Sequence, residues 1–164
     1  MSRTRSVSEI ILDMAARIAA EDPTFSFRKG PGKNAGNGAT AKFIKSLNDD
    51  VQAKFLDQVE INKRVIAGAK FNFDFYVASE RCAIEIALSA RNIVTEVEKD
   101  IFKAILANEN NLTVDRLMIV GKVGTIKRHS APGPRAIREW VQKKCGIRVE
   151  IGEFSEPGSG ITFG

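Results

Sequence analysis

Residues 71–107, FNFDFYVASERCAIEIALSARNIVTEVEKDIFKAILA, decide how this chain folds. Apolar side chains alternate at Phe71, Phe73, Phe75 and Val77, and again at Cys82, Ile84, Ile86 and Leu88. A period of two marks a strand with one face on a core. The segment therefore predicts two strands, followed by a helix with the apolar stripe Val94, Val97, Ile101, Ala104 and Ile105. With Ser79 and Glu80 as a two-residue hairpin turn, facing residue numbers sum to 159. Val77 then opposes Cys82, Phe75 opposes Ile84, Phe73 opposes Ile86, and Asp74 stands directly opposite Glu85. A four-residue turn also leaves Asp74 and Glu85 on one face, whereas a three-residue turn breaks the facing.

Like charges opposed across two strands repel, and a sheet covered on both sides worsens this by removing water. The repulsion is offset by a divalent cation, since Mg2+ takes carboxylate oxygens and keeps several waters, by a neighbouring Arg81 or helix lysine, or by an open, solvated face. Sequence alone leaves all three open.

These residues resemble a family. FDF, the hairpin, IEIALS, a short gap and EKDIFKAILA look like the catalytic core of the PD-(D/E)xK nucleases, in particular relatives of the type II restriction endonucleases. That pattern is an Asp on one strand, Glu-x-Lys on the next, and a helix packed on the sheet. The resemblance covers roughly Glu60 to Phe154. It implies that Asp74 and Glu85 are metal ligands for Mg2+ or Mn2+ and that the substrate is DNA. One position departs from the pattern: Glu85-Ile86 is followed by Ala87 where the motif lysine would stand. The family's lysine orients or activates the attacking water, and some relatives supply it from another element. Here Lys99 and Lys103, four apart on one helix face, are the substitutes. Alternatively they form solvated pairs with Glu96 or Asp100.

The rest of the chain is consistent with one domain of 164 residues. With 25 Lys and Arg against 20 Asp and Glu, the formal charge is +5, which favours polyanionic partners without identifying them. No apolar run is long enough for a membrane span, and Asp13 and Arg17 interrupt the early IILDMAARIAA stretch, unlike a signal-peptide core. A cytoplasmic location is the expectation. Cys82 and Cys145 read as buried thiols.

Ser6 and Glu9 have capping-box spacing ahead of the helical stripe Val7, Ile11, Met14 and Ile18, which ends before Pro23. From Phe25 to Thr40 the chain is rich in glycine and cations, including Arg28, Lys29 and Lys33. No Gly-Lys-Ser/Thr closes this stretch, so it reads as a mobile basic loop suited to a nucleic-acid backbone. Phe43, Ile44, Leu47, Val51 and Phe55 predict one long helix, or two broken near Asn48 to Asp50. Glu60 to Ile66 is a strand, and Val114 to Val120 a buried one. The loop KVGTIKRHSAPGP presents Lys122, Lys127 and Arg128 to phosphates or simply to solvent. His129 is the single histidine, with no partner at metal-ligand spacing. Pro134 opens a last helix over Ile137, Trp140 and Val141 that stops at Gly146, and Ile147, Val149 and Ile151 alternate as a strand.

The expected fold is thus α/β, a mixed central sheet flanked by helices. Its order is the αβββαβ of a restriction endonuclease-like core: residues 1–154 form one domain, helical over 1–60 and α/β over 60–154, and 155–164 are a flexible tail. The expected function is metal-dependent DNA phosphodiester hydrolysis. A nucleic-acid-binding or assembly module of the same fold without catalysis is the alternative that Ala87 permits. A glycosidase using the two carboxylates ranks last, because one Trp and one Tyr supply few sugar-stacking platforms. Cutting both strands would favour a symmetric homodimer, for which the sequence marks no interface.

Overall fold

The structure, a computed structural model, describes residues 4–22, 25, 37–88 and 92–164. It is an α/β fold whose six strands form one open mixed sheet in sequence order. Strands β1 (Glu60–Arg64), β2 (Asn72–Val77) and β3 (Cys82–Ala87) make an antiparallel meander. Parallel to β3 come β4 (Arg116–Gly121) and β5 (Arg148–Phe154), and β6 (Ile161–Phe163) closes the sheet antiparallel to β5. Helices α1 (Val7–Glu21) and α2 (Asn37–Phe55) cover one face, while α3 (Ile93–Glu109) and α5 (Pro132–Cys145) cover the other. Between β4 and α5 lies the short helix α4 (Thr125–His129).

Each face has its own core. Phe75, Val77, Cys82, Ile84 and Met118 pack with Ile11, Phe43 and Leu47 of α1 and α2. Tyr76, Ala83, Leu117, Ile119 and Ile151 pack with Val97, Ile101 and Ala104 of α3. Strands β3 and β4 are thus covered on both sides, which is why their sequences are almost continuously apolar. Burying side chains of this size contributes about 1.5–3 kcal/mol each. Burial also pushes the Cys82 thiol up to about 12, in keeping with an inert core cysteine.

Local chemistry fixes the helices. Ser6 and Glu9 form the expected reciprocal capping box on α1. Glu80, from the hairpin connection, adds its carboxylate to the amides of Val7 and Ser8, tying the first helix to the meander. Asn92 caps α3 through the Thr95 amide. At the other end Asn108 grips both the amide and the carbonyl of Val114, which sets where β4 begins. No helix among the described residues is long and apolar enough to cross a membrane.

Several expectations change. The hairpin connection is four residues rather than two: a 3-10 turn at Ala78–Glu80 plus Arg81 at φ 47°. The predicted register survives, with Val77 on Cys82 and Phe75 on Ile84, because the extra residues were added in an even number. Phe73 does not oppose Ile86, since pairing between β2 and β3 stops at Phe75. Phe71 and Phe73 also join the α3 side of the sheet, while Phe75 and Val77 face α1 and α2. The alternation breaks at Asp74, where Asn62 on β1 takes a left-handed φ of 51°. Residues 37–55 form one helix with no break at Asn48 to Asp50. Within the basic loop after β4, Thr125–His129 is helical, begun at Gly124 with φ 96°. Pro132, rather than Pro134, occupies the start of the last helix. The expected tail folds back: Ile161 and Phe163 pair with Phe154 and Gly152 as β6. Arg28, Lys29 and Lys33 lie outside the described residues.

Candidate active site

Asp74 is the one residue of β2 with no ladder partner on either side. Pairing with β1 runs from Tyr76 and Phe75 to Phe73 and Asn72 and skips it, and pairing with β3 has already ended. Beyond Phe75 and Ile84 the two strands separate, β2 staying with β1 and β3 with β4. A fork opens there. The amide of Ile86, having lost its strand partner, donates instead to Asp74 Oδ2 at 2.7 Å. A side chain thus completes the backbone bonding that the fork interrupts.

Glu85 comes from the other branch of the fork and is 6% exposed. The Asp74 and Glu85 carboxyl groups line the same cleft, close enough for each to perturb the other's charge. From α3 comes Lys103, 5% exposed, whose ammonium contacts a carboxylate oxygen of Glu85. It also donates to Asp100 Oδ1 at 2.8 Å and to the Asn72 carbonyl at 3.0 Å, and it lies 5.7 Å from the centre of the Phe73 ring. Asp100 is equally buried, at 5%. Helix geometry explains the placement: Asp100 and Lys103, one turn apart, border the buried stripe Val97, Ile101 and Ala104.

Two buried carboxylates, Glu85 and Asp100, therefore share one buried ammonium, and the partly buried Asp74 lies close enough to feel its charge. Burial raises the Glu85 carboxyl well above its usual range, and Asp74 and Asp100 push it in the same direction. Burial also raises Asp74, against the Ile86 amide and the Lys103 charge, and raises Asp100 against Lys103. Burial acts against the charge on Lys103, but Glu85 and Asp100 outweigh it and hold this lysine above its ordinary value. A proton or an added cation removes the excess negative charge.

The cluster floors a cleft of about 660 Å³ lined also by Lys70, Ala87, Asn92, Glu96 and Lys99. Lys99 is not brought to the carboxylates: half exposed, it pairs with Glu96 at 2.8 Å on the cleft wall. Of the remaining basic candidates, Lys122 follows directly on Gly121, which is paired with Ala87 at the fork end of the sheet. Lys127 and Arg128 are exposed one turn further on in α4. His129 is buried in α4 with Nδ1 bonded to the Thr125 carbonyl at 2.9 Å, and burial lowers its pKa. It plays no part in the cluster.

Among the described residues, no group of three or more His, Cys, Asp or Glu side chains is arranged to hold a metal ion. Two carboxylates do meet at the fork, and Mg2+ is commonly bound by one or two carboxylates with water completing its shell. The excess buried negative charge and the open cleft fit such an ion. Sequence reasoning passed over Asp100, read there as a solvated partner for a lysine, and the Asn72 carbonyl, which carries no sequence signal. The available signal for Asp100 was its position, an acid three residues before a lysine on the border of an apolar stripe. Compared with known proteins, the chain matches no family model, no curated protein and no solved structure.

Proposed function

We propose that this chain is a metal-dependent DNA phosphodiester hydrolase with its site at the β2–β3 fork. The observation that carries the proposal is the buried Glu85 and Asp100 around the Lys103 ammonium, with the partly buried Asp74 beside Glu85, all lining one open cleft. The resemblance of FDF, IEIALS and EKDIFKAILA to the PD-(D/E)xK nucleases agrees with it, as does a meander followed by a helix and a parallel strand, the order of a restriction endonuclease-like core.

The chemistry supplied by Mg2+ or Mn2+ held at Asp74 and Glu85 is polarisation of a phosphoryl oxygen and a lowered pKa for a bound water. Asp74, pinned by the Ile86 amide, presents its second oxygen without having to reorganise. Glu85 supplies the facing carboxylate from a strand buried on both sides. Lys103 takes the part of the motif lysine that Ala87 lacks, its ammonium reaching the charge that develops on the phosphoryl group. Lys70 and Lys99 on the cleft wall attract the phosphate chain, and Lys122, Lys127 and Arg128 at the same end of the sheet grip neighbouring phosphates. Such contacts give affinity without sequence choice.

The test is plasmid and oligonucleotide cleavage with Mg2+, Mn2+ or EDTA, comparing wild type with Asp74→Asn and Glu85→Gln. Metal-dependent cutting that falls by about 10²–10³-fold or more in each variant, the scale of losing one charge stabiliser in a transition state, is expected. Salt-sensitive DNA binding with no cutting under any condition would replace this reading with a non-catalytic binding module.

A further inference from the structure

The ammonium of Lys103 has three N–H donors and three acceptors: Glu85, Asp100 and the Asn72 carbonyl. Only Glu85 is also a candidate metal ligand. The ammonium therefore sits against one carboxylate that a divalent cation would need, while two further anchors hold it independently of that carboxylate. Asp100 lies one turn away on the same helix, so its distance from Lys103 is set by α3 and does not depend on the fork. The Asn72 carbonyl is free to accept because β2 has parted from β3 there.

We propose that Lys103 is the resident counterion of the site. It holds Glu85 until a divalent cation takes that carboxylate, and Asp100 with the Asn72 carbonyl then keeps the released ammonium in the cleft. This rests on the metal-site reading above. Asp100 is on this account a positioning residue, and Lys103 has two successive roles from one place. A direct consequence is that Lys103 weakens metal binding: a site without it takes the cation more tightly and uses it less well.

The experiment is Mn2+ binding in the absence of DNA, followed by electron paramagnetic resonance of free Mn2+. The proteins are wild type, Lys99→Met and the double variant Asp100→Asn/Lys103→Met. The double variant removes one carboxylate and one ammonium, so the net charge of the cluster is kept. It is expected to bind Mn2+ about tenfold more tightly, the value of freeing Glu85 from one charge-assisted hydrogen bond. Lys99→Met removes a cleft-wall charge that does not touch Glu85, and its effect stays under about threefold, as for an exposed pair. Unchanged or weaker binding by the double variant, or an equal gain in Lys99→Met, overturns the proposal. A measurement on wild type covers a double variant that does not fold. On Mg2+ titration the 15N-lysine spectrum should show the Lys103 ammonium shifting while staying protected from exchange. An unmoved signal, or one that loses protection, overturns the proposal equally. Wild type that binds no divalent cation defeats the metal reading itself, whereas binding without these effects defeats the counterion role alone.

Discussion

Two charged clusters sit on this sheet, at opposite ends and on opposite faces, and they are built differently. At the fork, Glu85 and Asp100 share Lys103 under near-complete burial, with the partly buried Asp74 beside them. At the other end, Arg116 on β4 places Nε and Nη2 on one oxygen of Glu150 at 3.0 and 2.7 Å, with Ser8 Oγ at 3.4 Å. There one guanidinium meets one carboxylate, both side chains a fifth to a quarter exposed, with Arg148 3.7 Å from the same carboxylate. The Arg116 pair matches one cation to one carboxylate and is partly exposed, and its geometry explains it as a tie between β4, β5 and the start of α1. The fork cluster is unbalanced and more deeply buried, and among the described residues Lys103 is the cation in contact with its carboxylates. Burial combined with charge imbalance separates a site from a strut; the presence of charge does not.

The largest difference between the two clusters should appear on removing their cations. Lys103→Met leaves buried carboxylates without a counterion and should cost about 3–5 kcal/mol in metal-free protein. Arg116→Met, at a partly solvated pair, should cost about 1–2 kcal/mol, between the exposed and buried values. Urea unfolding of both variants in EDTA measures this, and equal losses would mean that the fork cluster is an ordinary ion pair.

How much of this was legible in the sequence depended on whether a residue's role was set by periodicity or by a break in it. Alternation in 71–77 and 82–88 placed Asp74 opposite Glu85. The longer connection keeps the register at Val77–Cys82 and Phe75–Ile84 because Ala78 to Arg81 preserves parity. The ladder ends before Asp74, however, so the two carboxyls meet across the fork and not as a paired register. The same alternation put Phe73 on the wrong face, since it contains no sign that Asn62, twelve residues earlier, would take a left-handed turn across from Asp74. Helical spacing placed Lys99 and Lys103 together. What separates them is the depth at which α3 meets the fork, so that one reaches Glu85 and the other Glu96. β6 was missed because Ile161 and Phe163 give only a three-residue pattern, and it is β5 already in place that makes it a strand.

Next in size is the effect of the cation. Mg2+ at about ten times its dissociation constant should add about 1.4 kcal/mol by mass action. A raised thermal midpoint is expected for wild type and Arg116→Met and not for Glu85→Gln. A midpoint that rises equally in Glu85→Gln would place the ion elsewhere.

The pH dependence sharpens the same contrast. Asp74, Glu85 and Asp100 all have folded-state pKa values raised above the unfolded ones. Between those values the native state binds more protons than the unfolded state, so stability is highest at low pH and falls as pH rises through the folded values. Each such proton contributes a slope of about 1.4 kcal/mol per pH unit. Metal-free wild type should therefore lose stability upward from about pH 4–5, the unfolded range of these carboxyls. Glu85→Gln should flatten the loss, and Mg2+ should offset it. Urea midpoints from pH 4 upward in EDTA and in Mg2+ test it, and stability that rises with pH across this window would contradict the raised values.

The smallest effect lies outside both clusters. Lys127 and Arg128 are exposed on α4, at the fork end of the sheet. Their replacement by Gln should change stability by no more than about 0.5 kcal/mol. If each neutralises one phosphate, the slope of log affinity against log salt for duplex DNA should become shallower by about 0.9 per residue, or about 1.8 for the pair. Because the same loss of charge applied to Lys45 and Lys54 on α2 alters the overall charge equally, a slope that responds to both pairs alike reports net charge only. A slope that responds to Lys127 and Arg128 alone places the DNA backbone at the fork end, where the carboxylate cluster could reach it.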